Sequence, residues 1–196
     1  MDAESSSDAL DRIRSAADRT LSTGTARVTY AWRGADLDRP AIEGAGVVDF
    51  VARRVDLGAS IDLGGQRFFV WDGQWRGPVG EPAGPMPAGG PIWLVQILRG
   101  ASSAAAAVAD QLGDVPAERY EVLVDLVDAE AASPESLAAP GGFSMQLLRA
   151  IPATVWLDGD GRLRRLELRL LADAISMALD DFGTPVTIAP PAGAVR

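Results

Sequence analysis

The sequence contains neither cysteine nor histidine. The absence of cysteine excludes disulfides, thiolate nucleophiles and zinc sites built on cysteine. The absence of histidine removes the base of ordinary Ser-His-Asp triads and the commonest transition-metal ligand. We therefore predict no catalytic residue, no metal site and no cofactor.

The sequence also has no long apolar run and no excess of positive charge. Eighteen basic residues stand against 27 acidic ones, and the net charge of −9 argues against nucleic acid as a partner. No stretch approaches the ~20 apolar residues that a membrane span needs. The start, Met1-Asp2-Ala3-Glu4, has no signal-peptide pattern. As written, the sequence predicts a cytoplasmic protein, or a cell-envelope protein if a leader has been removed.

The first third of the chain shows one helical pattern followed by strand patterns. Leu10, Ile13, Ala17 and Leu21 recur at helical spacing, and Gly24 closes this amphipathic helix. The period then changes to two. Alternation predicts consecutive antiparallel strands at residues 25–33, 46–52, 55–62, 66–71 and 74–76.

The middle of the chain is less regular. Glycine and proline at nearly every second position predict a mobile surface flap at residues 77–91. The spacing of Ile92, Val95 and Leu98, with the alanine-rich run 104–112, predicts two helices or one broken helix. A strand is predicted to run from Arg119 to Leu126.

Two short helices are predicted at Ser133-Pro134 and at residues 143–148. Strands follow at residues 153–157, 165–170 and 175–179. Helix, strands, helices and strands in this order do not alternate as in a parallel sheet. The pattern predicts a single α+β domain over residues 1–196 with an antiparallel sheet. A chain of this length buries roughly 70% of the surface that its unfolded form exposes, which allows one sizeable core.

Several segments in this order resemble a known family. They are the opening helix with strand 25–33, VPAERY (115–120) running into VLVDL (122–126), ATVWLDGDGRLRRL (153–166) and DFGTPVTI (181–188). Together they resemble the LppX and LprG type of actinobacterial cell-envelope lipoproteins. The signal peptide and lipid-bearing cysteine of that family are absent from this sequence.

The resemblance implies a half-barrel, in which helices cover the concave face of a curved antiparallel sheet. It also implies an apolar cavity that holds an acylated lipid or glycolipid during transport, and a membrane-associated partner that takes delivery. The resemblance brings no catalytic residue and no individual binding residue.

The apolar faces of the predicted strands, with Trp93, are the candidate lining of such a cavity. The candidates are Val28, Tyr30, Trp32, Val48, Phe50, Leu57, Ala59, Ile61, Phe68, Val70, Trp93, Val122, Val124 and Leu126. The same faces also suit a solid core, because protein interiors normally pack at crystal-like density. Trp71, Trp75 and Trp93 flank the flap and suit either a gate for an apolar ligand or ordinary edge packing.

Three polar patterns have simpler interpretations than a functional site. Asp158-Gly159-Asp160-Gly161 is similar to the start of a calcium loop, but a hairpin turn accounts for it. The pairs Asp180-Asp181 and Asp125 with Asp128 suit turn positions better than acid-base catalysis. The basic stripe of residues 162, 164, 165 and 169 suits a solvated strand face or an anionic contact.

Three functions therefore stand at the sequence level. The leading hypothesis is non-catalytic binding and carriage of an apolar, acylated ligand. The second is a protein-interaction module with a packed core and no ligand. The third is a hydrolase that uses only carboxylates, for which no spacing places two acids in one cleft.

Overall fold

The first helix, α1 (Ser6–Leu21), confirms the predicted amphipathic helix and begins four residues before Leu10, the first apolar residue of the predicted pattern. The Ser5 hydroxyl accepts a hydrogen bond from the backbone N–H of Asp8 at 3.1 Å, which satisfies a donor at the helix start. After the helix, Gly24 adopts a φ of +81°, which suits a residue without Cβ. The computed structural model describes residues 5–34, 42–61, 66–71, 74–76, 90–133, 149–170 and 173–189.

Eleven strands in the described parts of the chain form one sheet. They are β1 (Thr25–Arg33), β2 (Ile42–Asp49), β3 (Arg54–Ile61), β4 (Gln66–Trp71), β5 (Gln74–Arg76), β6 (Ala101–Ala104), β7 (Val108–Leu112), β8 (Val115–Val124), β9 (Ile151–Leu157), β10 (Leu163–Leu170) and β11 (Asp173–Asp180). The further helices are α2 (Pro91–Gln96), a 3₁₀ helix (Ile97–Gly100) and α3 (Leu126–Ala132).

The strand order is β5-β4-β3-β2-β1-β11-β10-β9-β8-β6, and β7 also pairs with β8. The described pairings are antiparallel, and the two ends of the chain meet where β1 pairs with β11, with Tyr30 opposite Met177. The sheet is open and curved, and its concave face is covered by helices. The predicted α+β architecture is therefore confirmed.

Alternating burial gives the sheet two different faces. On β1, Ala26, Val28, Tyr30 and Trp32 are buried, whereas the residues between them are exposed or half-buried. The register with β11 places Ile175, Met177 and Leu179 opposite these buried positions. Each large apolar side chain on this face contributes about 1.5–3 kcal/mol by leaving water. The concave face therefore provides most of the core.

Polar contacts hold α1 against its neighbours. The Thr20 hydroxyl, which is fully buried, donates to the Ala16 carbonyl at 2.7 Å and accepts from the Leu163 N–H at 2.8 Å, so it joins α1 to β10. The guanidinium of Arg99 pairs with Asp18 at 2.6 Å. These contacts orient the helices over the concave face.

The alanine-rich run 104–112 is not a helix, contrary to the prediction. It contributes the end of β6 and all of β7, and both strands pair with the ten-residue β8. Helix propensity is a weak prior that tertiary pairing overrides. The tight β7–β8 turn is closed by Gly113, whose φ is +60°.

The predicted strand at residues 119–126 ends earlier, at Val124. Asp125 instead caps α3, and its carboxylate accepts from the N–H groups of Val127 at 2.8 Å and Asp128 at 3.2 Å. Leu126 is therefore a helical residue, although it is still buried. The alternation of apolar residues continued past the strand because Leu126 also faces the core.

Two other predicted boundaries differ. The predicted strand 46–52 is β2 at Ile42–Asp49, because Asp49 accepts from the Ala52 N–H at 2.8 Å and turns the chain. Pro91, placed in the flap by the prediction, is the first residue of α2.

Residues 77–89 of the predicted flap lie outside the described residues. The helix predicted at residues 143–148 also lies outside them, and so does the helix predicted to begin at Ser133-Pro134, apart from Ser133. Ser133 itself follows the end of α3. None of the helices in the described ranges combines the length and apolarity that crossing a bilayer requires.

Candidate functional site

The structure gathers most of the predicted lining residues into one apolar cluster on the concave face. The buried members are Val28, Tyr30, Trp32, Val48, Phe50, Leu57, Trp93, Val122, Val124 and Leu126. They come from both halves of the sheet and from the helical layer. The cluster is therefore the apolar interior between the sheet and the helices.

The side chains of Ala59, Ile61, Phe68 and Val70 lie outside the described part of the structure. Their backbone register is described. Ala59 and Ile61 pair with Gly44 and Ile42, whereas Phe68 and Val70 pair with Leu57 and Val55. Because Val55 and Leu57 are buried, strand alternation keeps all four positions on the concave face.

Tyr30 and Trp32 supply polar atoms to this otherwise apolar face. The Trp32 Nε1 donates to the Asp173 carboxylate at 3.2 Å. The Tyr30 hydroxyl is buried and has no hydrogen-bond partner among the described residues. Burial raises the pKa of Tyr30, and the negative charge of Asp173 raises it further. Tyr30 is thus held as a neutral phenol inside the core.

Glycines occupy the concave-face positions of β2 beside Tyr30. Gly44 is in register with Tyr30, and Gly46 is in register with Val28. A Cβ on Gly46 would lie 1.9 Å from the Asp56 carbonyl oxygen, so this position requires glycine. Between the large residues of β1 and those of β3, this strand contributes no side-chain volume to the concave face at these two positions.

The helical layer also presents many small side chains to the sheet. The buried face of α1 includes Ala9, Ala16 and Ala17 besides Ile13. In contrast, α2 buries large apolar side chains, among them Ile92, Trp93 and Leu94. The Trp93 Nε1 has no hydrogen-bond partner in the part of the chain that the structure describes. Small buried side chains are therefore a feature of α1 and not of α2.

Two solved structures share this architecture. The lipoprotein LppX from Mycobacterium tuberculosis aligns with a TM-score of 0.62 and 16% identity, over 94% of this chain and 100% of the other. The chain has the LppX fold. LprF from Mycobacterium bovis aligns with a TM-score of 0.56 and 14% identity, over 98% of this chain and 100% of the other. No protein-family model and no curated protein sequence matches the chain.

The concave face of the LppX fold also includes residues that were absent from the predicted set. β9, β10 and β11 contribute buried side chains to the cluster, namely Ile151, Ala153, Val155, Leu157, Leu163, Leu166, Leu168, Ile175, Met177 and Leu179. Their alternation in the sequence was the signal that could have identified most of them. The sequence did not show that the two ends of the chain pair, so these strands were not assigned to the same face.

The predicted tryptophan gate is only partly within the described structure. The side chains of Trp71 and Trp75 lie outside it, as do residues 77–89 of the flap. Trp93 is buried in α2 at 7% exposure, so it belongs to the core of the LppX fold.

The acidic patterns are used within the fold. The buried Asp158 carboxylate accepts from the N–H groups of Asp160 and Arg162 and from the Arg162 side chain at 2.9 Å, which confirms the hairpin turn. Asp125 caps α3, and Asp181 pairs with Arg27 at 3.1 Å. The described residues contain no group of three or more acidic side chains placed to hold a metal ion.

The predicted basic stripe divides between several contacts. The guanidinium groups of Arg162 and Arg164 lie over the Phe182 ring, at 4.9 and 5.2 Å from its centre. Arg165 pairs with Glu167 on the outer face, whereas Arg169 is exposed. Arg165, Glu167 and Arg169 line a groove of about 550 Å³ on the face opposite the core.

Proposed function

We propose that this protein binds and carries an apolar, acylated lipid or glycolipid between the concave face of its sheet and the helices, without catalysing a reaction on it. The observation that carries the proposal is the LppX fold, which extends over 94% of this chain and all of the lipoprotein LppX. A fold shared over nearly the whole length of both chains favours a shared use of the concave face.

The chemistry of the concave face supports the same function. It is an apolar cluster, and the two positions of β2 in register with Tyr30 and Val28 are glycines. An apolar ligand gains affinity by burying surface at about 25 cal/mol per Å². The chain has no histidine or cysteine to serve as base or nucleophile, so binding requires fewer assumptions than catalysis.

Native mass spectrometry of the purified protein, with organic extraction of any adduct, tests the proposal directly. We expect a bound species whose mass corresponds to an acylated lipid, and uptake of 1-decylpyrene by the protein after delipidation. A protein that carries no adduct and takes up no decylpyrene would rule out the carrier function.

Two substitutions on β2 show where the ligand binds. Gly44→Leu adds a side chain on the concave face beside Tyr30, whereas Ala45→Leu adds the same side chain on the exposed outer face. We expect Gly44→Leu to weaken decylpyrene binding about tenfold or more and Ala45→Leu to leave it within about twofold. Equal effects of the two variants would place the ligand elsewhere.

The second candidate is an interaction module whose partner binds the outer face of the sheet. The observation that favours it is a groove on the outer face that is open to solvent. The groove is lined by residues that include Arg33, Glu121, Thr154, Arg165 and Arg169. Absence of any lipid adduct, together with unchanged stability on adding decylpyrene, would favour this function over the first.

A further inference from the structure

Two hydrogen-bond donors in the core have no partner in the part of the chain that the structure describes. They are the Tyr30 hydroxyl and the Trp93 Nε1. Tyr30 is only 2% exposed, so its hydroxyl has no contact with bulk solvent. Buried polar groups normally have a partner, since an unpaired one costs free energy. These two donors therefore require a separate explanation.

Comparable side chains in the same protein are paired. The Tyr120 hydroxyl, also buried, donates to the Glu118 carboxylate at 3.0 Å. The Trp156 Nε1 donates to Asp110 at 2.8 Å. The chain thus provides acceptors for the aromatic donors at these positions, whereas the described residues provide none for Tyr30.

Tyr30 lies beside positions that contribute little side-chain volume. Its neighbour in register on β2 is Gly44, and the next position across, on β3, is Ala59. The unpaired hydroxyl and the small residues are independent observations that coincide at one place. Together they favour a hydrogen-bond acceptor that the protein itself does not supply.

Electrostatics defines the chemistry of that group. The carboxylate of Asp173 lies close enough to raise the pKa of Tyr30, after burial, and so keeps the phenol protonated as a donor. The same carboxylate repels an anionic acceptor in a medium of low dielectric constant. A neutral oxygen acceptor, such as an ester carbonyl, fits both conditions, whereas a carboxylate or phosphate does not.

We propose that the Tyr30 hydroxyl donates a hydrogen bond to a neutral carbonyl oxygen of the carried molecule, and that it thereby selects esters over hydrocarbons and over free fatty acids. This inference rests on the proposed carrier function and names the polar group that the ligand presents to the concave face.

The experiment compares three probes of matched size on the delipidated full-length protein: 1-decylpyrene, methyl 1-pyrenedecanoate and 1-pyrenedecanoate. Binding is followed by pyrene fluorescence. We expect Tyr30→Phe to weaken methyl ester binding about five- to tenfold and to leave decylpyrene binding unchanged, since one neutral hydrogen bond is lost. The wild type should bind the anionic probe more weakly than the ester.

Tyr120→Phe is the matched control, because it removes a buried hydroxyl that has a partner within the protein. We expect it to lower stability without changing the preference between ester and hydrocarbon. Tyr30→Phe should not lower the stability of the ligand-free protein. Comparison of Tyr30→Phe with Tyr120→Phe therefore distinguishes the loss of a hydrogen bond to the ligand from the loss of a hydrogen bond within the protein.

Infrared spectroscopy of the bound methyl ester gives a readout that does not depend on affinity. In the wild type, the ester carbonyl stretch should shift to lower wavenumber, as hydrogen-bonded carbonyls do, and Tyr30→Phe should abolish the shift. The wild-type measurement tests for a hydrogen bond to the ester carbonyl even if Tyr30→Phe fails to fold.

The outcomes distinguish this inference from the proposed function. Wild-type protein that binds decylpyrene and the methyl ester, with no carbonyl shift and no selective effect of Tyr30→Phe, overturns the inference and leaves the carrier function intact. Equal weakening of both probes by Tyr30→Phe also overturns it. Wild-type protein that binds no probe overturns both.

Discussion

Thr20 is the buried polar side chain through which α1 contacts the sheet. Its hydroxyl accepts from the Leu163 N–H at the start of β10 and donates back into its own helix. The helical pattern of the sequence places position 20 among the polar residues of α1. Only the packing of α1 against β10 gives this hydroxyl a specific partner.

We predict that Thr20→Val destabilises the protein by about 1–3 kcal/mol, because the Leu163 N–H is left buried without an acceptor. Valine has the same shape, so packing is preserved. The control is Thr29→Val on the exposed face of β1, which should change stability by less than about 0.5 kcal/mol. Urea unfolding followed by tryptophan fluorescence measures both, and equal effects would contradict the role of the hydroxyl.

Asp110 links β7 to β9. Its carboxylate accepts from the Trp156 Nε1 and from the Gln111 N–H, each at 2.8 Å, and these hydrogen bonds lower the pKa of Asp110 below its usual 3.8. A lowered pKa means that the folded protein favours the charged carboxylate more than the unfolded chain does. The resulting stability is complete above about pH 4 and is lost as the pH falls through the folded-state pKa.

We therefore predict that Asp110→Asn lowers stability at neutral pH and that its difference from the wild type shrinks as the pH falls below about 4. Urea unfolding at a series of pH values between neutral and about 2 measures this difference. Asp114→Asn, in the exposed β7–β8 turn, is the control. A difference that stays constant with pH would contradict the assignment to Asp110.

At the scale of elements, the 3₁₀ helix and α3 pack unusually closely. An added Cβ on Gly100 would lie 2.2 Å from the Asp125 carbonyl oxygen and 2.5 Å from the Ala129 nitrogen. The Gly100 carbonyl also accepts from the Asp125 N–H at 2.8 Å. This contact joins the segment before β6 to the segment after β8, so it positions the helices over the concave face.

We predict that Gly100→Ala costs about 3 kcal/mol, because backbone atoms must move to admit the methyl group. Gly159→Ala, where an added Cβ meets nothing within 4 Å, should cost much less. Hydrogen exchange should show faster exchange in α3 for Gly100→Ala. Unchanged exchange there would show that the two helices are not coupled through this glycine.

The errors at this scale share one physical cause. Residues 104–112 were predicted as helix from alanine propensity, yet they pair with β8 as the end of β6 and as β7. Leu126 was predicted as strand from alternation, yet Asp125 begins a helix there. Helix propensity and the period of apolar residues are local signals. At both places the conformation depended instead on which neighbouring segment satisfied the backbone hydrogen bonds.

At the scale of the whole molecule, the pairing of β1 with β11 joins the N-terminal meander to the C-terminal strands in one sheet. We therefore expect residues 1–196 to unfold as a single cooperative domain. Far-ultraviolet circular dichroism and tryptophan fluorescence should give coincident transitions, and the calorimetric and van't Hoff enthalpies should agree. Separate transitions for the two parts of the sheet would contradict a single domain.

Much of the fold was accessible from the sequence. α1, β1, β3 and the β9–β10 turn follow from periods and turn residues, and the buried sides of β1, β8, β10 and β11 follow from alternation. Most of the candidate lining residues are buried in one cluster for the same reason. The contribution of β9–β11 to that face was missed, because no local pattern shows that β11 pairs with β1.

The sequence by itself determined which residues face the interior within each regular strand or helix. The spacing of apolar residues, with a period of two in strands and 3.6 in helices, involves only nearby positions of the chain. Only the tertiary structure decided which strands became neighbours. It therefore decided that Gly44 lies beside Tyr30 and that no described residue accepts a hydrogen bond from the Tyr30 hydroxyl. Both results depend on residues far apart in the chain. Local patterns therefore indicate that a side chain is buried without specifying what surrounds it.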